Sequence, residues 1–410
     1  MSLKFKCKNC FYNKYDKLFS LGSLNYSGKF PKKKSINVPQ NKINLVKCKK
    51  CHLVQLDRKF NPKYLYNLDY GYRSGINTTM KNHLSNISTK LSKLTNLNQN
   101  DHVLDIASND GTLLNSYKKK NIVKVGIDPI INKFIRFYNN IDYKINSFFN
   151  IKAIKSKGIK NKFKIITACA VFYDVDKPNI FLKDISNLLD QKNGIFYLEF
   201  QDLYSIIKYN LFDTICHEHL EYYSLSVILS MLKKNNLKLI KVSRNNINGG
   251  SLGLYISHIK SGYKLAKKNL EKNLNLEKKI KIKELTTYKH FFLKILRIKR
   301  RLKKLISHIL QNKKIIHGYG ASTKGNILLQ FFNITNEEIK YIADRNPEKV
   351  NLYTPGTKIK IISEKNSRKM RPDYYLVLPW HFKNEILIRE KKIRKKGTKF
   401  IFPLPKLEIK

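Results

Sequence analysis

One stretch constrains this chain more than any other: Val103-Leu104-Asp105-Ile106-Ala107-Ser108-Asn109-Asp110-Gly111-Thr112-Leu113-Leu114. Val103, Leu104 and Ile106 are a short apolar run of the kind a parallel strand buried on both faces requires. Ala107 to Gly111 are small or turn-forming. They let the backbone approach a ligand and then enter a helix with its N–H groups aimed at that ligand. Thr112 to Leu114 open the helix. A second strand, Val123 to Ile127, ends in Asp128-Pro129. An acid there, roughly 20 residues past the first loop, is where doubly wound folds hold ribose hydroxyls. The unit reads as α/β, with an adenosine-like ligand at the carboxyl edge of a parallel sheet.

Two cofactors compete for that edge. A dinucleotide site wants Gly-x-Gly-x-x-Gly, whereas this loop has one glycine, Gly111, and an acid, Asp105, at the strand end. An acidic strand end disfavours a pyrophosphate and suits a cation. S-adenosylmethionine (SAM) carries an ammonium and a sulfonium and no phosphate, so SAM is the preferred reading. Asp105, Ala107, Asn109, Gly111 and Asp128 are its candidate contacts. The plain alternative is a fold-forming turn with no ligand, against which stands the pairing of loop and acid at the expected spacing.

The 410 residues suffice for two or three domains. No apolar run approaches the ~20 residues of a membrane helix. The opening residues, MSLKFKCKNC, lack a signal-peptide core, so a cytoplasmic protein is expected. The formal charge of +52 ordinarily suggests nucleic acid. Here lysine is spread along the whole chain together with asparagine and isoleucine, and no nucleic-acid motif is visible. Such a surface still attracts phosphorylated substrates.

Four of the six cysteines form two pairs, Cys7/Cys10 and Cys48/Cys51. A two-residue gap lets one turn supply two thiolates, and four thiolates hold zinc tetrahedrally with no open position, a structural role. A looping segment is expected between the pairs. The aromatic stretch Tyr64-Leu65-Tyr66 and Tyr70-Gly71-Tyr72-Arg73-Ser74-Gly75 follows, either lining a cleft or serving as a linker. A helix is expected over 78–96.

Beyond Asp128, a helix is expected over about 130–140 and strands near 142–145, 164–170 and 194–200, with a helix at 179–190; this alternation implies a parallel sheet. Cys216-His217-Glu218-His219 comes next, on the cofactor side. An imidazole is the natural base near neutral pH and a carboxylate can orient it. Spacing alone leaves a structural polar turn as an equal alternative. Asn248-Gly249-Gly250-Ser251 is a glycine turn running into a strand, suited to a ligand or to a hairpin. Residues 260–312 read as a basic helical linker packed by one apolar face, including Phe292, Ile295, Leu296, Leu302, Leu305, Ile306 and Ile309. Residues 314–317 then form a strand, Gly318-Tyr319-Gly320-Ala321-Ser322-Thr323-Lys324-Gly325 a glycine loop that tolerates phosphate, and 339–343 a strand ending in Asp344. This repeats the earlier unit, so a second Rossmann-like domain is expected.

Together these pieces resemble the SAM-dependent C-methyltransferases of nucleotide-linked keto-deoxysugars. The residues that carry the resemblance are the two cysteine pairs with Leu53-Val54-Gln55-Leu56, Tyr72-Arg73-Ser74-Gly75, the Asp105 loop, Gly126-Ile127-Asp128-Pro129, His217-Glu218-His219, Gly249-Gly250-Ser251, Gly318-Tyr319-Gly320-Ala321 with Lys324-Gly325, and Pro355-Gly356. The resemblance implies a zinc-binding domain (1–75), a SAM-dependent methyltransferase domain (76–260), a helical linker (261–312) and a C-terminal Rossmann-like domain (313–410). It implies deprotonation beside a ketone by His219, with Glu218 and His217 beside it and Tyr72 at the substrate. Gly250, Ser251, Tyr319 and Lys324 are the expected substrate contacts. Two departures stand out: Cys216 where the family has Tyr, and Gly253 where it has Arg in the turn after Gly-Gly-Ser. The rival readings are an RNA-binding protein or RNA methyltransferase with a zinc knuckle, and a relative that has lost turnover.

Overall fold

The computed structural model describes residues 5–66 and 71–410, without the side chains of residues 63 and 64. Tyr70 and the Tyr64 side chain, part of the aromatic stretch, lie outside the described residues. Strands β1 (Tyr15–Asn25), β2 (Gln40–Cys48) and β3 (Val54–Leu56) form an antiparallel meander. Strands β4 (His102–Ile106), β5 (Val123–Ile127), β6 (Tyr143–Ile145), β7 (Phe163–Cys169) and β8 (Ile195–Phe200) are parallel, in the order β6-β5-β4-β7-β8. Strand β9 (Glu221–Tyr222) returns to the first sheet and pairs with β3. Strands β10 (Leu237–Asn245) and β11 (Ser251–His258) extend the second sheet, with β11 antiparallel between β8 and β10. The third sheet runs β14-β13-β12-β15-β16-β17, from β12 (Ile316–Tyr319), β13 (Tyr341–Asp344), β14 (Lys360–Ser363), β15 (Tyr374–Val377), β16 (Lys399–Phe402) and β17 (Glu408–Ile409). Its strands are parallel except β17.

The architecture is the α/β one expected, with Rossmann-like order in both parallel sheets. Every residue of β8 is buried, as a strand covered by helices on both faces requires. In each parallel sheet the order reverses beside its first strand, between β4 and β7 and between β12 and β15. The crevice at such a reversal is where open α/β sheets bind ligands.

Several local expectations need correction. The segment between the cysteine pairs is the β1–β2 hairpin, not a loop. The helix near 130–140 is only Ile131–Phe134 with a 3-10 turn, Ile135–Phe137. The basic stretch is two helices, Lys267–Lys279 and Leu285–Gln311, with a left-handed break at Lys281 (φ 54°). The Glu277 carboxylate accepts from the backbone N–H groups of Leu225 and Ser226, which ties the first helix to the N-terminus of the helix Leu225–Lys234. The second helix buries Tyr288, Phe291, Ile295, Ile298, Leu302, Ile306 and Ile309 in one core with the first and third sheets. Gly253 stands within β11, not in a turn. Gly318 and Tyr319 belong to β12, and Lys324 and Gly325 to the helix Thr323–Phe332, so the glycine loop shrinks to Gly320-Ala321-Ser322.

Candidate active site

The four N-terminal cysteines meet. Their Sγ atoms lie within 4.8 Å of one another, with Cys7–Cys51 and Cys10–Cys48 at 3.5 Å. Both pairs close the same turn: Phe11 N donates to Cys7 O and His52 N to Cys48 O, and Phe11 and His52 share a left-handed φ near 60° (59° and 62°). Thiolates held about 2.3 Å from a tetrahedral zinc stand about 3.8 Å apart. The donor set fits a structural zinc ion.

The second site lies at the β4/β7 reversal. Ser74, Leu84, Asp105, Ala107, Ser108, Thr112, Leu113 and Cys169 line a small cavity there. Ala107, Asn109 and Gly111 all take positive φ (57°, 52° and 72°), which curls the loop back over the sheet edge. The loop is held from both sides. Asp128 accepts from Asn109 N (3.0 Å) and Ile130 N (2.9 Å), and Tyr138 donates to Asn109 O (2.9 Å). Segment 72–75 clamps the top: Ser74 N donates to Asn109 Oδ1 and Gly75 N to Asp110 Oδ2, each at 2.9 Å. A Cβ on Gly75 would lie 2.6 Å from Asp110 Oδ2, so this close approach requires glycine. Tyr72 hydrogen-bonds the Ser74 side chain and is 39% exposed at the mouth.

Asp105 accepts a 2.6 Å bond from Thr167 Oγ1 and is otherwise buried. Burial pushes its pKa up to about 7 and that of Asp128 up to about 6. No lysine or arginine pairs with either carboxyl among the described residues. Two buried acids without a counter-cation fit a cationic ligand, as SAM requires.

The third cluster lies where the second and third sheets meet. His219 Nδ1 donates to Thr214 O (2.6 Å) and lies 3.1 Å from Thr214 Oγ1. That hydroxyl donates to Gln201 Oε1 (2.7 Å), which also accepts from Lys324 Nζ (2.7 Å). Gln201 Nε2 donates to Asn248 O (2.6 Å), which fixes the amide's orientation. The network assigns the Nδ1–H tautomer, and Nε2 is left without a partner among the described residues. Burial, then the Lys324 charge, holds the His219 pKa down to about 3, so the ring is neutral. Burial lowers Lys324 as well, opposed by Asp213. The far wall is Trp380, whose Nε1 donates to buried Asp213 (2.8 Å). A Cβ on Gly249 (φ 91°) would lie 2.5 Å from its ring.

The expected site residues divide accordingly. His219 and Lys324 come together. Glu218 is buried one residue away, accepts from Ser27 Oγ (3.3 Å) and has its pKa raised by burial. The group that orients His219 is the Thr214 carbonyl, not the Glu218 carboxylate. His217 is not beside the base. A turn closed by His219 N to Cys216 O swings it the other way, fully buried between Tyr26 and Phe60 with Nε2 near Asn41 O (3.2 Å). Tyr319 also misses the cleft, because its hydroxyl is taken by Glu390 and Arg389 in the third sheet's interior. Gly250 and Ser251 back the turn that presents Asn248 O, with Ser251 Oγ bonded to Ile247 O (3.0 Å). Gln201 and Thr214 were not singled out in the sequence, and Asn248 entered only as the first residue of the glycine turn. Only the position of Gln201, one residue past β8 at a ligand-side edge, could have drawn attention.

Residues 56–242 match the methyltransferase domain family, and the chain is a SAM-dependent methyltransferase. Residues 246–405 match the C-methyltransferase C-terminal domain, which makes it a C-methyltransferase. It is 25% identical over 368 residues to C-methyltransferase NovU of Streptomyces niveus, spanning 90% of this chain and 87% of that one. Solved structures similar to it include the PH0226 protein of Pyrococcus horikoshii OT3 (13% identity, TM-score 0.37, 48% of this chain and 99% of that one). Another is the plantazolicin methyltransferase BamL (15% identity, TM-score 0.35, 44% and 86%).

Proposed function

We propose that the enzyme methylates a carbon beside the ketone of a nucleotide-linked keto-deoxysugar, with His219 as the base. The observation that carries this reading is the His219 tautomer: Nδ1–H is committed to Thr214 O, so Nε2 presents a lone pair to the cleft. A carbon nucleophile needs an acidified C–H, and a ketone next to it supplies that acidity. Asp105, Ala107, Asn109, Gly111 and Asp128 would hold SAM, which supplies an electrophilic methyl group when bound. His219 takes the proton from the carbon. Its low proton affinity keeps it unprotonated at neutral pH, and the negative charge forming beside it raises that affinity as the proton moves. Tyr72 stands at the mouth to contact the substrate, and Glu218 fixes the Ser27 loop of the first sheet against the base segment. Gly250, Ser251 and Lys324 form the sugar side, and the basic surface favours a phosphorylated substrate. In this reading the segment 1–75 is a zinc-binding domain, 76–260 the SAM domain, 261–312 a helical connection and 313–410 the wall that closes over the sugar.

The test is His219→Ala. SAM binding, read by calorimetry, is retained while methyl transfer is lost. Full turnover by that variant removes His219 as the base.

A further inference from the structure

We infer that Lys324 is the group that stabilises the enolate oxygen, so that the third sheet supplies a catalytic residue and not merely a wall. This rests on the reading of His219 as the base.

Lys324 lies on the helix Thr323–Phe332 and reaches across to the second sheet. One N–H is held by Gln201 Oε1 at 2.7 Å, and a second points at Asn248 O from 3.4 Å. The third has no partner among the described residues. Lys324 and His219 are therefore the two ends of one chain of hydrogen bonds, through Gln201 and Thr214. Each end has one free valence: a donor on Lys324, a lone pair on His219 Nε2. Deprotonation beside a ketone needs that pair. The C–H electron pair becomes the new C–C double bond, and the carbonyl π pair moves onto oxygen. The proton goes to Nε2, and the oxyanion takes a hydrogen bond from the ammonium. When the carbon takes the methyl group, the enolate pair forms the new C–C bond, the methyl–sulfur bond breaks with its pair left on sulfur, the carbonyl re-forms, and His219 returns its proton to solvent.

The surroundings fit an oxyanion better than a diphosphate. Lys324 offers a single free N–H; burial lowers its pKa, and the nearby buried Asp213 opposes that shift. A carboxylate at that range repels a multiply charged group but tolerates one developing charge. A donor fixed in advance, in a cleft walled by Trp380, acts on charge only as it forms.

The test uses the full-length enzyme, S-adenosylhomocysteine and a panel of nucleotide-linked 4-keto-deoxysugars in D2O. NMR follows loss of the proton beside the ketone. For a panel member that the wild type exchanges, Lys324→Met at saturating sugar is expected to slow exchange by about 100-fold, the scale of losing one oxyanion donor. KM stays at the wild-type value and Lys324→Arg recovers part of the rate. Circular dichroism and SAM affinity of both variants report whether the fold is intact. Wild-type exchange by Lys324→Met, or a loss confined to KM, overturns the role while leaving His219 as the base. Absence of wild-type exchange on every keto-sugar overturns the parent reading, and this one with it.

Discussion

Gly253→Ala is a small change with a large expected cost. An added Cβ would lie 2.3 Å from Tyr197 Oη and 2.6 Å from Ser243 Oγ, where ordinary contact begins at 3.4 Å. The Tyr197 hydroxyl must therefore retreat by about 1 Å. That hydroxyl donates a 2.8 Å bond to the buried Glu199 carboxylate, which also accepts from His83 and Asn245 (2.7 Å each). Overpacking costs about 1–3 kcal/mol, and a lost hydrogen bond to a charged group about 1.5–3 kcal/mol. Relief of glycine's strand penalty returns about 0.5–1 kcal/mol. The net is about 2–5 kcal/mol. At the lower end, amides of β11 that exchange by local opening, such as Leu252 and Leu254, exchange about 30-fold faster. Native-state hydrogen exchange suits a chain of this size, where a single unfolding midpoint is ill defined. Gly262→Ala is the control, because nothing lies within 4 Å of its Cβ and its φ is ordinary. If Gly253→Ala is as mild as Gly262→Ala, the packing argument fails. If it stands, the arginine found there in the resembled family has no room in this chain, and the difference is built into the sheet.

Two more predictions concern the ligands. Asp105 and Asp128 carry pKa values raised by burial, to about 7 and about 6, so they ionise across pH 5–8 in the folded protein. Because a cation prefers the ionised pair, SAM affinity, measured by calorimetry, rises with pH over that window and its rise is blunted in Asp105→Asn. The ligand-free enzyme has the opposite slope. An acid with a raised folded pKa stabilises the fold below its unfolded pKa, and that contribution is lost as pH rises through the folded value. A SAM affinity that is flat from pH 5 to 8 would contradict the site. Chelation of zinc, or Cys48→Ser, is expected to release hydrogen-exchange protection in β1 and β2 first, since Cys48 ends β2. Elemental analysis that finds no zinc bound to the purified chain would remove the metal assignment.

What the sequence made legible was what periodicity and spacing encode. The buried run of β4, the acids at the ends of β4 and β5, and the paired cysteines each announce themselves within a dozen residues. Gln201 and Thr214 do not. They are neutral, common residue types, and only the folded edge of the second sheet brings them to His219 and Lys324. His217 and His219 look equivalent in the sequence. The turn at Cys216 separates them, and nothing short of the backbone path could assign one to the core and the other to the cleft. Tyr319 failed for a related reason: β12 runs two residues further than its apolar pattern suggested, so the side chain is absorbed by the sheet. Strand β9 is two residues long, too short for any period to show.

The most direct test of the account is mass spectrometry of nucleotide-linked 4-keto-deoxysugars incubated with the purified enzyme and SAM, followed by NMR of the product. The account predicts one added methylene on a panel member, with the new methyl on a carbon next to the ketone. A methyl found on oxygen or nitrogen, or no transfer to any keto-sugar while SAM binds, would contradict it.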